Sequence, residues 1–179
     1  MRADARRNYD KVLAAAREAF AEGGAETSLE GIARRAGVGI GTLYRHFPTR
    51  QALLEAVYVG EVEQVCRSAE ELMEMSPWEG FSAWMFRLMS YLATKQALAA
   101  ELLDYVGRDS DLFSTCRTTL FAAGEPLLGR AQDAGAVRRD TDLAEVVQLV
   151  GGIAKIQATD RAQREHILEI ALDGLRRPS

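Results

Sequence analysis

The stretch GIARRAGVGIGTLYRHF, Gly31 to Phe47, limits what this chain can fold into more tightly than any other part of it. Gly37-Val38-Gly39 separates two short runs of helical character. Pro48 closes the second run, since the residue before a proline is disfavoured in the α region. Two helices joined by so short a turn cross closely, which asks for a small residue in the first and a glycine in the turn. Ala33 and Gly37 meet both demands. Helical spacing then turns Val38 and Leu43 toward a small core and leaves Ile40, Gly41, Thr42, Tyr44 and Arg45 outside.

The rest of the chain carries the same period. Tyr9, Val12, Leu13, Ala16 and Phe20 predict a helix over 8–21, stopped by Gly23-Gly24. The polar, basic residues 1–8 before it read either as a flexible arm that could reach phosphates or as a plain disordered terminus. Thr27 with Glu30 has the spacing of a capping box and opens a helix over 28–36. Thr49 caps a long helix whose apolar positions Leu53, Leu54, Val57, Tyr58, Val62 and Val65 lead on to about Met75. Ser76-Pro77-Trp78-Glu79 opens the next, over 77–93, followed by one over 96–106 that ends at Gly107. A helix over 110–134, kinked at Pro126, precedes a loop and two last helices over 142–156 and 160–176, which start at Asp142 with Glu145, or at Thr141 just before it, and at Asp160 with Gln163. With no strand alternation and no internal repeat, the fold class is all-α. We expect an N-terminal three-helix helix-turn-helix domain over 1–50, its motif at about 28–47, and a larger helical bundle over 51–179, about nine helices in total.

Charge is unevenly placed along this frame. The 179 residues carry a formal net charge of -4, yet residues 1–50 hold nine Lys/Arg against six Asp/Glu, which leaves +3 there and -7 in the remainder. A basic head on an acidic body suits a partner that is itself an anion. The two cysteines, Cys66 and Cys116, lie fifty positions apart inside helical patterns and fit neither a disulfide framework nor zinc-ligand spacing. No cofactor, metal site or catalytic set is expected, because no phosphate loop, nucleophile elbow or cluster of ligands occurs and only two histidines, His46 and His166, are present. No apolar run approaches the roughly 18 residues needed to cross a bilayer, and no apolar segment follows the basic N-terminus, so a cytoplasmic protein without a membrane partner is expected.

A helix of eight residues from Ile40 is roughly 12 Å long, comparable with the width of the DNA major groove, and in such motifs the N-terminal half of the second helix meets base edges. Here the residues become specific. Thr27, Ile32-Ala33, Ala36-Gly37-Val38, Gly41-Thr42-Leu43-Tyr44, His46-Phe47, Arg50 and Leu53 together resemble the N-terminal domain of the tetracycline-repressor (TetR) family over about residues 8–58. The resemblance implies that Thr42, Tyr44 and His46 contact phosphates, that Gly41 lets the backbone come close to DNA, and that Ile40 and Arg45 read bases. It also implies that the helix start at Thr27 and Ser28 aims its positive end at a phosphate. Arg50 stands where the family often has lysine, and is expected to serve a phosphate with a fork instead of a point charge. Arg34 and Arg35 read either as further phosphate contacts or as a solvated face.

The body resembles the family's ligand and dimer domain, which implies a homodimer through the helices at 142–156 and 160–176. The wide apolar stripes on those two helices agree with that independently. The aromatic and methionine stripe of residues 77–93 is either core packing or the wall of an effector pocket. If a pocket, its candidate lining is Phe81, Met85, Met89, Leu102, Phe113 and Arg117, with Arg117 as the polar group for an unknown, partly apolar small molecule. The function expected is a homodimeric repressor that binds a palindromic operator in double-stranded DNA and is released by that effector. The alternative is a helical interaction or dimerisation module whose head does not read DNA.

Overall fold

The computed structural model of the protein describes residues 2–23, 27–107, 110–157 and 160–176. Among them eight α-helices follow one another: α1 (Arg2–Gly23), α2 (Leu29–Ala36), α3 (Ile40–His46), α4 (Arg50–Leu72), α5 (Pro77–Val106), α6 (Asp111–Asp133), α7 (Leu143–Ala154) and α8 (Arg161–Asp173). The only strand-like pairing among these residues is an isolated bridge between Val137 and Arg176. The fold is all-α.

Three local expectations are corrected. The segment expected as an arm or a disordered terminus is helical from Arg2, where Arg6 faces Asp10 at 3.8 Å and Arg7 is bound to Asp4, opposite charges about one turn apart. Met1 and Gly24 lie outside the described residues. The cap of α2 is Ser28, whose hydroxyl accepts from the Gly31 amide at 3.0 Å, and not Thr27, whose hydroxyl donates to the Ala19 carbonyl at 2.9 Å. The helices expected over 77–93 and 96–106 are one helix, because the residues from Leu92 to Ala97 include no glycine or proline to stop it. The other starts agree with their side chains: Asp142 and Glu145 form a reciprocal capping box and Asp160 accepts from the Gln163 amide.

The chain divides into two compact units, Met1–Glu61 with Thr94–Phe113, and Val62–Ala93 with Ser114–Ser179. In the first, Val12, Ala16 and Phe20 of α1, Ile32 of α2, Leu43 of α3, Leu53 and Leu54 of α4 and Leu102 of α5 are buried. Each large side chain of this set contributes roughly 1.5–3 kcal/mol through burial. Arg17 of α1 pairs with Glu61 of α4, whose carboxyl burial nonetheless pushes above its ordinary range, against the pull of the guanidinium. Tyr58 meets Phe113 edge-on at 5.2 Å and lies under the Lys95 ammonium at 5.1 Å.

The second unit is built round Trp84, which is fully buried and donates from its indole nitrogen to the Val65 carbonyl at 3.1 Å. Gly124 of α6 lies against the outer ring of that indole: a Cβ there would come within 2.6 Å of Trp84 Cζ3 and 3.0 Å of Leu143 Cδ2. Arg130 ties off the chain after α4 by donating to the carbonyls of Met73 (2.6 Å) and Met75 (2.7 Å). The Arg176 guanidinium lies over the Trp78 ring at 4.3 Å. Cys116 is buried and Cys66 half-buried, both as free thiols, and burial pushes the Cys66 thiol up from its ordinary value.

Candidate nucleic-acid interface

The turn between α2 and α3 follows from two backbone demands. Gly37 ends α2 in the left-handed region, φ 66, and its amide donates to Arg34 while that of Val38 reaches back to Ala33 at 3.0 Å. This double closure satisfies the last carbonyls of the helix and is accessible to glycine without strain. Alanine at this position needs a conformation that costs about 1–2 kcal/mol for an L-residue, although its Cβ would meet no described atom within 4 Å. Gly37→Ala should therefore lower stability by about that amount in a urea titration, and an unchanged midpoint would show that the turn is not held as described.

Helix α3 then divides by face. Leu43 is fully buried and Phe47 at its end is 3% exposed, whereas Ile40 (37%) and Tyr44 (44%) are large apolar side chains left in the open. Gly41 and Arg45 are exposed beside them, and Thr42 and His46 are half-buried at the edges. Positions 40 and 44, and 41 and 45, are four apart, so they form two adjoining rows on one side of a helix about 10 Å long. A Cβ on Gly41 would meet nothing within 4 Å among the described residues. Packing among the described residues thus gives no reason for glycine there.

One residue that sequence reasoning placed only in a helix's apolar row supports this face. Tyr9 of α1 stacks on Phe47 with centroids 5.0 Å apart and meets His46 edge-on at 5.9 Å, so the imidazole is held by a ring on another helix. Its sole signal was the helical spacing of Tyr9 with Val12 and Ala16. Arg35 is already engaged: it holds Glu22 at 2.6 Å with Glu18 4.0 Å away, and this hydrogen bond lowers the Glu22 carboxyl below its usual range. Arg34 is exposed beside it, on an open groove of about 520 Å³ lined also by Ala19, Glu22, Thr27, Gly31 and Arg35. Arg50 is turned inward, to Glu101 at 2.5 Å, to the Thr27 carbonyl and to the face of Phe20.

The candidate effector residues are spread differently. Phe81, Met85 and Met89 are buried in the second unit, while Leu102, also buried, and the half-buried Phe113 belong to the first. Arg117 is exposed, with its guanidinium 5.4 Å from the centre of the Phe121 ring. Among the described residues no group of three or more His, Cys, Asp or Glu could hold a metal ion, and no helix is long and apolar enough to cross a membrane.

Both parts of the chain resemble known proteins. Residues 12–57 match the bacterial regulatory proteins of the tetR family, and residues 76–177 match the C-terminal domain of SbtR-like transcriptional regulators. A TetR transcriptional regulator from Streptomyces coelicolor of known structure is 41% identical, with a TM-score of 0.85 over 96% of this chain and 99% of its own. A second, a TetR transcription regulatory protein from Mycobacterium vanbaalenii, is 35% identical, with a TM-score of 0.81 over 98% and 99%. The helix-turn-helix transcriptional regulator UidR of Escherichia coli is 25% identical over 91% of this chain and 88% of its own length. These families are regulators and not a class of enzymes. The chain belongs to the TetR family of DNA-binding transcriptional regulators, with a C-terminal domain of the SbtR-like kind.

Proposed function

We propose that the protein is a homodimeric, cytoplasmic repressor that binds a palindromic operator through α3 of each subunit and lets go when a small molecule binds its body. The observation that carries this reading is the outward face of α3, where Ile40, Gly41, Tyr44 and Arg45 stand exposed against the buried Leu43 and Phe47. Ile40 and Arg45 read bases, Gly41 allows close approach, and Thr42, Tyr44 and His46 with the Ser28 end of α2 hold phosphates. Thr27 acts one step back, since its hydroxyl is used on α1. Residues 1–50 form the DNA-reading part and 51–179 the part that binds effector and partner.

Dimerisation runs through α7 and α8, where Leu149 is 40% and Ile170 61% exposed, with Ile156 just past the end of α7 also 40% exposed. Two recognition helices about 34 Å apart then meet successive major grooves. An effector that reaches Phe81, Met85 or Met89 has to open existing packing, so it acts by favouring a different arrangement of the body.

Footprinting on DNA upstream of the protein's own gene tests the reading. Protection of two half-sites related by two-fold symmetry is expected. Tyr44→Ala and Arg45→Ala should each weaken binding by about 1–3 kcal/mol per half-site, with Arg45→Ala also relaxing preference at the bases it faces. A dimer with no salt-dependent preference for any palindrome, or variants that bind as the wild type does, would sink the proposal and leave a module that pairs with protein.

A further inference from the structure

We propose that Glu101, on α5 and outside the helix-turn-helix, is a positioning residue for DNA binding that acts through Arg50; the inference rests on the DNA-reading role given above to α3. Arg50 is the first residue of α4. Its Nε donates to Glu101 Oε1 at 2.5 Å, one terminal nitrogen donates to the Thr27 carbonyl, and its plane lies 5.1 Å from the centre of the Phe20 ring. One side chain thus touches α1, the lead into α2 and α5 while belonging to α4. The Thr27 hydroxyl, bound to the Ala19 carbonyl, fastens the same lead to α1 a second time.

The two charged groups are well inside the unit, with side-chain exposures of 21% for Arg50 and 12% for Glu101. A guanidinium offers five donors in a fixed plane, so it can serve a carboxylate and a carbonyl at once with one geometry. The carboxylate decides which way that plane faces, and the plane decides where the Thr27 carbonyl sits, one residue before the cap of α2. Glu101 therefore sets the entry of α2, and through the tight Gly37 turn the direction of α3. It also neutralises Arg50 where it stands, so Arg50 contributes to DNA binding by geometry and not as a phosphate contact.

Phosphate contact and positioning predict opposite results. The probe is a duplex selected from a random pool by the wild-type protein, with affinity measured at several salt concentrations. Positioning predicts that Glu101→Gln weakens binding roughly tenfold with an unchanged slope of log K against log salt, because no phosphate contact is lost. Arg50→Lys, which keeps the charge but cannot fork to both partners, should weaken binding nearly as much as Arg50→Gln. The double variant Arg50→Gln/Glu101→Gln should be little worse than either single one. Thermal unfolding of each variant separates misfolding from mispositioning, and Arg50→Lys keeps a cation beside Glu101 if the neutral variants do not fold. If Glu101→Gln binds as tightly or more tightly, or Arg50→Lys matches the wild type while Arg50→Gln lowers the slope by about 1.8, that is about 0.9 for each subunit of the dimer, Arg50 is a phosphate contact and the inference falls. If the wild-type chain selects no duplex at all, the DNA-reading site itself falls, and this inference with it.

Discussion

Trp84→Ala should lower the stability of the fold by about 3–5 kcal/mol, the largest effect expected of a single truncation in this chain. The indole is fully buried, and its loss removes both the packing in the second unit and the hydrogen bond to the Val65 carbonyl. The sharper form of the prediction uses Gly124. A methyl there overlaps the outer atoms Cη2 and Cζ3 of the indole, so Gly124→Ala should cost about 1–3 kcal/mol by overpacking. Phenylalanine at 84 lacks those outer atoms. In the Trp84→Phe background the same methyl should therefore cost little or become favourable, partly filling the space left behind. Urea unfolding followed by circular dichroism, at one fixed protein concentration, gives the four values needed. An equal cost of Gly124→Ala in both backgrounds would show that the indole is not what keeps position 124 bare.

Ile170→Glu should convert the protein to monomers and reduce operator affinity by roughly a hundredfold or more, since each half-site must then be held by a separate binding event. A single exposed isoleucine is ordinary on a soluble protein. Here Ile170 of α8 is accompanied by Leu149 of α7, the helix packed on it, and by Ile156 two residues past the end of α7. Two-fold symmetry places every change at an interface twice, and a carboxylate there is desolvated without a partner in both subunits. Sedimentation at micromolar concentration should give the mass of one chain, with the helical content unchanged. A variant that still sediments as a dimer would move the interface elsewhere.

Local signals made the exposed face of α3 legible. Two glycines, one proline and a helical period sufficed to place Leu43 inside and Ile40, Tyr44 and Arg45 outside, because each acts within a few residues of itself; Val38, expected inside with Leu43, is half-buried. The one-residue error at the start of α2 arose where two hydroxyls stand side by side: Thr27 and Ser28 both can cap, and only the position of Ala19 on α1 assigns Thr27 inward. The break expected near residue 94 had no glycine or proline behind it, and the helix runs on. Glu101 was beyond reach, since it meets Arg50 across 51 positions and nothing near either residue announces the other. Arg117, expected as a pocket's polar group because it is a lone arginine among apolar residues, is exposed with its guanidinium over the Phe121 ring.

The long helices α4 and α5 each supply residues to both compact units, α4 changing over after Glu61 and α5 after Ala93. Inheritance by cassette is therefore restricted in this protein. A DNA-reading segment transplanted as residues 1–50 would arrive with Arg50 but without the carboxylate that orients it, and without Tyr58 and Leu102 of the core it shares. A chimera that keeps operator preference needs a recipient body whose own α5 presents an acid where Glu101 stands.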